Sequence, residues 1–259
     1  MYKMVVCEFT RALIDSEEAI PHSTMIEIDK LRREKNIIFT VMTNDPIEPV
    51  NDYNRDFPFI DYIIAFNGGY VYDVKNDRVL YKKSVGISVI KKMYKLFSDL
   101  NICFHTLEYG AYVGDYREKH YCVPLNDFST FVEVHRNNVY KISIICDDKS
   151  QVRRVLKAFD DYDINANTRI VKKNGKIFVE VLSKINDKLI GVKKIAKMNK
   201  ISMDEILAIV ASDTDVNVAK EVGRCVVVRN GCEKIRNVVK EMTSSNDEKG
   251  VEAVLKKYL

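Results

Sequence analysis

Hydrophobic residues in this chain gather in short unbroken runs separated by stretches of helical periodicity. Residues 4–9 (Met4-Val5-Val6-Cys7-Glu8-Phe9), 36–43 and 62–66 are such runs, the pattern of strands covered on both faces. Between the first two, Pro21, Ser23 and Thr24 are helix-start residues. Met25, Ile28 and Leu31 then recur at helical spacing, and Arg32, Arg33 and Lys35 close the segment in charge. Strand, helix, strand, helix-like linker, strand predicts a parallel sheet with crossover helices. The rhythm changes near residue 84. An amphipathic helix is predicted over 86–100, short strands over 102–107, 111–114, 140–146, 169–172 and 176–182, and a helix over 148–159. From Asp187 the earlier alternation returns, with helices over 189–198, 216–221 and 251–259 and strands over 206–211 and 225–228. The predicted organisation is a core built from 1–83 and 184–259, interrupted by an α+β unit over 84–183.

Composition narrows the function classes. A chain of 259 residues with 46% hydrophobic and 30% charged positions is globular rather than disordered. No apolar run reaches the roughly eighteen residues that span a bilayer, and the first residues carry no signal-peptide pattern, so a cytoplasmic protein without a membrane partner is expected. The net charge of +4, from 41 basic and 37 acidic residues, is too balanced for a nucleic-acid footprint. Lys193, Lys194, Lys197 and Lys200 read as a solvated helix face, since no aromatic stacking motif accompanies them. The six cysteines and four histidines are scattered without metal-ligand spacing, which predicts reduced thiols and no zinc site. Tyr109, Tyr112, Tyr116 and Tyr121 make the inserted unit aromatic, with core packing expected for at least half of them.

Three segments carry a family resemblance. They are Phe66-Asn67-Gly68-Gly69-Tyr70-Val71-Tyr72-Asp73, Asp215-Val216-Asn217-Val218-Ala219-Lys220-Glu221-Val222-Gly223, and the stretch from Ser245-Asn246-Asp247 through Gly250 to Leu255. In this order and spacing the chain resembles the Cof-like branch of the haloacid dehalogenase (HAD) superfamily of phosphatases over nearly its whole length. The resemblance implies an α/β fold: a Rossmann-like core with a parallel sheet, and an α/β cap inserted in the middle.

The resemblance also implies a chemistry and shows where this sequence departs from it. Phosphoryl transfer in the family uses a nucleophilic carboxylate at the end of the first strand and a general acid/base carboxylate two residues later. A hydroxyl and a lysine neutralise the phosphoryl oxygens, and acidic residues of the last motif hold Mg²⁺. The first motif, Asp-x-Asp-Gly-Thr in the family, falls here on Glu8-Phe9-Thr10-Arg11-Ala12. Glu8 therefore stands at the nucleophile position and Thr10 at the acid/base position. The second motif keeps Thr43, followed by Asn44-Asp45, and the third keeps Lys188. The fourth, Gly-Asp-x-x-Asn-Asp, falls on Val210-Ala211-Ser212-Asp213-Thr214-Asp215, keeping Asp215 but placing Ala211 where the family has a magnesium ligand.

The candidate catalytic positions are thus Glu8, Thr10, Thr43 and Lys188. The candidate phosphate-binding residues are Thr43, Asn44 and Lys188, and the remaining candidate Mg²⁺ ligands are Glu8 and Asp215. Arg11 adds a positive charge at the site, and Asp45 and Asp215 are the acids available to pair with it or with Lys188. A misplacement of ~1 Å at a reacting centre costs about 10²-fold, and loss of a positioned general acid/base costs roughly 10²–10⁴-fold. The leading expectation is a phosphatase homologue whose site has decayed and which binds a small phosphorylated molecule. The competing expectation is an active Mg²⁺-dependent phosphatase of small phosphorylated metabolites with Glu8 as nucleophile.

Overall fold

The computed structural model describes residues 1–56, 58–115, 122–173 and 175–259. The chain forms two compact units, Met1–Lys82 with Asp187–Leu259, and Lys83–Asn186.

The first unit opens with β1 (Met4–Glu8), every residue of which is buried. A single π-type turn, Phe9–Leu13, follows at once, closed by the Ile14 N–H donating to the Phe9 carbonyl at 3.0 Å. The chain continues through α1 (His22–Lys35), β2 (Ile38–Met42), α2 (Glu48–Asp56) and β3 (Tyr62–Ala65). A hairpin that the hydrophobic pattern does not announce comes next, β4 (Tyr70–Asp73) with β5 (Arg78–Lys82), the two strands antiparallel to each other and β4 antiparallel to β3.

The second unit contains α3 (Ile87–Phe97), β6 (Asn101–His105), β7 (Gly110–Val113), β8 (Cys122–Pro124), α4 (Phe128–His135), β9 (Lys141–Cys146), α5 (Lys149–Asp161), β10 (Ala166–Lys173) and β11 (Lys176–Ser183). Its six strands form one sheet in the order β10-β11-β9-β6-β7-β8. Alternation along the strands divides the sheet's two faces. Ile102, Phe104, Ile142, Ile144, Val179 and Val181 pack in one core with Val89, Met93 and Phe97 of α3, Phe131 of α4 and Val155 of α5. On the other face His105 Nε2 lies 2.9 Å from Ser143 Oγ, and buried Lys141 pairs with Glu180 at 3.3 Å. Tyr112 is buried, and the Tyr109 hydroxyl lies 2.7 Å from His135 Nε2. Tyr116 and Tyr121 lie outside the described residues. All six cysteines are described, and no disulfide joins any of them.

The chain then completes the first unit with α6 (Lys188–Met198), β12 (Ile206–Val210), α7 (Val216–Glu221), β13 (Arg224–Val228), α8 (Glu233–Val238), β14 (Glu241–Thr243) and α9 (Gly250–Tyr258). The eight-stranded sheet runs β14-β13-β12-β1-β2-β3-β4-β5, parallel from β14 to β3. Val192 and Ile195 of α6, Val218 of α7 and Ile235 of α8 join Met4, Val6, Ile64, Ala208 and Val210 in one core, while α1 and α9 pack on each other. The expected α/β fold with a parallel core sheet is what the chain forms. Because β1, β2 and β12 are parallel and in register (Cys7 beside Val41 and Ile209), their carboxyl ends deliver Glu8, Thr43 and Ala211 to one edge.

One glycine sets the approach of α6 to that edge. After β3 the backbone turns through Phe66, Asn67 and Gly68, all at positive φ (50°, 54° and 87°), whereas Gly69 has an ordinary φ of −71°. A Cβ on Gly68 would lie 2.1 Å from the Asp187 carbonyl oxygen, immediately before Lys188. Gly68→Ala combines backbone strain with a clash against main chain, and we expect it to lower unfolding free energy by about 2 kcal/mol or more. Gly69→Ala should cost less than half as much. Urea denaturation of the two variants checks the contrast.

Candidate active site

Four short backbone segments assemble the site. Glu8 ends β1 and caps the π-type turn with its own side chain, Oε2 accepting the Arg11 N–H at 2.7 Å. Thr43 follows β2, and its Oγ1 accepts the Asp45 N–H at 3.0 Å. Thr10 Oγ1 lies 3.4 Å from Thr43 Oγ1 and donates to Asp45 Oδ2 at 3.3 Å. Lys188 is the first residue of α6, set by the Asp187 cap whose Oδ1 accepts the Leu189 N–H at 2.9 Å. Past β12, Ser212 and Asp215 form a capping box around a short 3₁₀ turn, Asp213–Asp215.

The centre of this arrangement is an ion pair. Lys188 Nζ donates to Asp215 Oδ1 at 2.6 Å, and both side chains are 0% exposed. The other oxygen, Oδ2, accepts the Ala211 and Ser212 N–H groups at 3.1 and 2.8 Å. Asp215 thus has both oxygens engaged by protein donors. Thr214 Oγ1 donates to Asn44 Oδ1 at 3.0 Å, which ties the second and fourth segments together.

Glu8 lies 1% exposed beside this pair. Burial pushes its carboxyl up to about 7; the Lys188 ammonium opposes the rise, Asp215 reinforces it, and the Arg11 N–H opposes it. Burial likewise raises the neighbouring Cys7 thiol. The candidate acid/base residue, Thr10, is exposed, and Asn44 is 8% exposed. Of the two acids named as partners for the basic residues, Asp215 pairs with Lys188 and Asp45 receives the Thr10 hydroxyl. Arg11 acts through its backbone: its N–H holds Glu8, and its carbonyl accepts from Asn230 Nδ2 at 2.8 Å.

Sequence reasoning missed the amides of Arg11, Ala211 and Ser212 as the groups that fix the two buried acids. The Ser212-x-x-Asp215 spacing before a helix was a readable signal for the last two. No comparable pattern announced the first.

Magnesium demands near-octahedral oxygen coordination at about 2.0–2.1 Å, and the residues here do not fit it. Ala211 offers no oxygen from its side chain, both oxygens of Asp215 are taken, and half-buried Asp213 accepts the Ser212 hydroxyl at 3.2 Å. Among the described residues no three His, Cys, Asp or Glu side chains are grouped to hold a metal.

A carboxylate, two hydroxyls and a lysine thus stand at the carboxyl edge of a parallel sheet in a chain that carries an α/β insert. Residues 10–255 match the model of the haloacid dehalogenase-like hydrolases, and the chain belongs to that family. A 5-amino-6-(5-phospho-D-ribitylamino)uracil phosphatase of Bacillus subtilis is 20% identical to it, across 98% of this chain and 97% of that protein. A haloacid dehalogenase-like hydrolase from Bacteroides thetaiotaomicron superposes with a TM-score of 0.87 at 19% identity, covering both chains completely. The Thermotoga maritima protein TM0651 superposes at 0.81 with 18% identity, over 100% and 98% of the two chains.

Two stability experiments probe the site's electrostatics. The raised Glu8 carboxyl contributes stability that is complete below the ordinary value of 4.5 and is lost as pH rises through about 7. In Glu8→Gln that loss disappears, so the unfolding free energy of the variant relative to the parent should rise across this window and level off above it. A difference that stays flat with pH would mean that Glu8 is ionised throughout. Separately, Lys188→Met strands the Asp215 charge and should destabilise by about 3–5 kcal/mol. Lys188→Met/Asp215→Asn should recover more than half of that in the same urea titration.

Proposed function

We propose that this chain is a haloacid dehalogenase-fold protein that has lost most or all phosphohydrolase turnover and binds a small phosphorylated molecule. The observation that carries the reading is the full engagement of Asp215 opposite Ala211. The positive charge beside Asp215 is the Lys188 ammonium, and Ala211 supplies no second acid to share a metal with it. A divalent ion would have to displace that contact and two amide hydrogen bonds, with one fewer carboxylate to receive it.

The remaining groups favour binding over reaction. Glu8 is one methylene longer than the family nucleophile, is held by the Arg11 N–H, and is only partly ionised near pH 7. Since the attacking species is the carboxylate anion, its population and its placement both fall. Thr10 puts a hydroxyl where a proton donor is needed, and that hydroxyl already points to Asp45. Thr43, Asn44 and the α6 terminus with Lys188 keep the hydroxyl, amide and ammonium chemistry that suits a phosphate group.

The test is a hydrolysis assay with p-nitrophenyl phosphate and a panel of sugar phosphates in Mg²⁺. The expected rate equals that of Glu8→Ala. The triple variant Glu8→Asp/Thr10→Asp/Ala211→Asp should exceed both by roughly 10²-fold or more, because it restores nucleophile, proton donor and metal ligand together. Parent turnover that vanishes in Glu8→Ala would instead establish an active phosphatase.

A further inference from the structure

A polar cavity of about 420 Å³ lies in the inserted unit and is lined by both segments through which the chain enters and leaves it, Lys83, Ser84 and Val85 on one side and Ser183, Lys184 and Ile185 on the other. The N-terminus of α3 opens into the same space through Gly86 and Ser88. No side chain caps this helix, since its N-cap residue is Gly86. The first-turn N–H groups of an α-helix have no acceptor within the helix and carry the positive end of its dipole.

Independent of the helix, Ser183 lines the cavity. It is 8% exposed, and its hydroxyl has no hydrogen-bond partner among the described residues. Strand alternation fixes its direction: Val179 and Val181 of β11 pack on the helix side, and Ser183, two residues further, faces the same way, paired across the sheet with cavity-lining Ala166. An occupant of the cavity would give this hydroxyl a partner in place of water. Lys83, Lys92 and Lys184 line the cavity against one acid, Asp163. Lys92 Nζ gives one hydrogen bond, to the Tyr162 carbonyl at 2.7 Å, and retains two N–H groups.

We propose that this cavity is a second anion site that takes the phosphate group of a small metabolite, distinct from the Glu8–Lys188 site and independent of the reading given for it. Three lysines, the Ser183 hydroxyl and uncapped helix amides match the charge and the oxygens of a phosphomonoester. A bound phosphate would join the entering and leaving segments through one ligand, so occupancy would stiffen the base of the insert.

The site is tested on the full chain by titrating inorganic phosphate while following the backbone amide resonances of Ile87 and Ser88. Saturable shifts of both are expected, and they should persist in Thr43→Val, which addresses the core site. Ser183→Ala should weaken the response roughly tenfold. Gly86→Asp should abolish it: Gly86 has φ −64°, a Cβ there meets nothing nearer than Ser88 Oγ at 3.9 Å, and the new carboxylate caps the helix itself. The dispersed amide spectrum of each variant reports that it is folded. Absence of a saturable shift, a response unchanged in both variants, or an equal response to chloride (an adventitious ion only) would each overturn the proposal.

Discussion

The Lys188–Asp215 ion pair is the constraint on which the carboxyl edge of the core sheet depends. Two fully buried opposite charges at 2.6 Å are tolerable only when their remaining donors and acceptors are satisfied. Here the Ala211 and Ser212 amides complete the coordination of Asp215, and the helix start at Asp187 fixes where Lys188 emerges. Glu8 is then a second acid beside a cation that is already matched. Its raised carboxyl follows from burial and from that balance of charge. Two acids, Glu8 and Asp215, thus face one ammonium, and only Asp215 is bonded to it.

Most of the fold was legible because its signals are local and periodic. The runs at 4–9, 36–43, 62–66 and 206–211 became β1, β2, β3 and β12, each one to three residues shorter than the apolar run that announced it. The segments that escaped lack such a signal. β4 and β5 follow a turn read only for its glycines, and the strand positions Arg78 to Lys82 are half-buried or exposed, so no strong alternation appears. α4, α8 and β14 span 8, 6 and 3 residues and carry little periodic signal; α7, also of six residues, was read only because it follows the Asp215 motif.

The candidate site was legible in the identities of its residues and illegible in their connections. Spacing put Glu8, Thr43, Lys188 and Asp215 at strand and helix ends, and parallel register brings those ends together. Which acid Lys188 would take was left open between Asp45 and Asp215, and only three-dimensional placement decides it. The engagement of Glu8 by the Arg11 amide depends on a π-type turn, a conformation with no dependable sequence signature. Shared architecture at about 20% identity shows that the sheet tolerates wholesale side-chain change.

Asp187, the first core residue after the insert, is anchored three ways. Its Oδ1 caps α6, its Oδ2 takes the Asn217 amide at 2.6 Å, and its carbonyl sits so close to Gly68 that no side chain fits between them. The residue ahead of the buried lysine therefore works as a strain relief, as on a cable. These contacts hold the first turn of α6 in place, and with it the point from which Lys188 reaches Asp215.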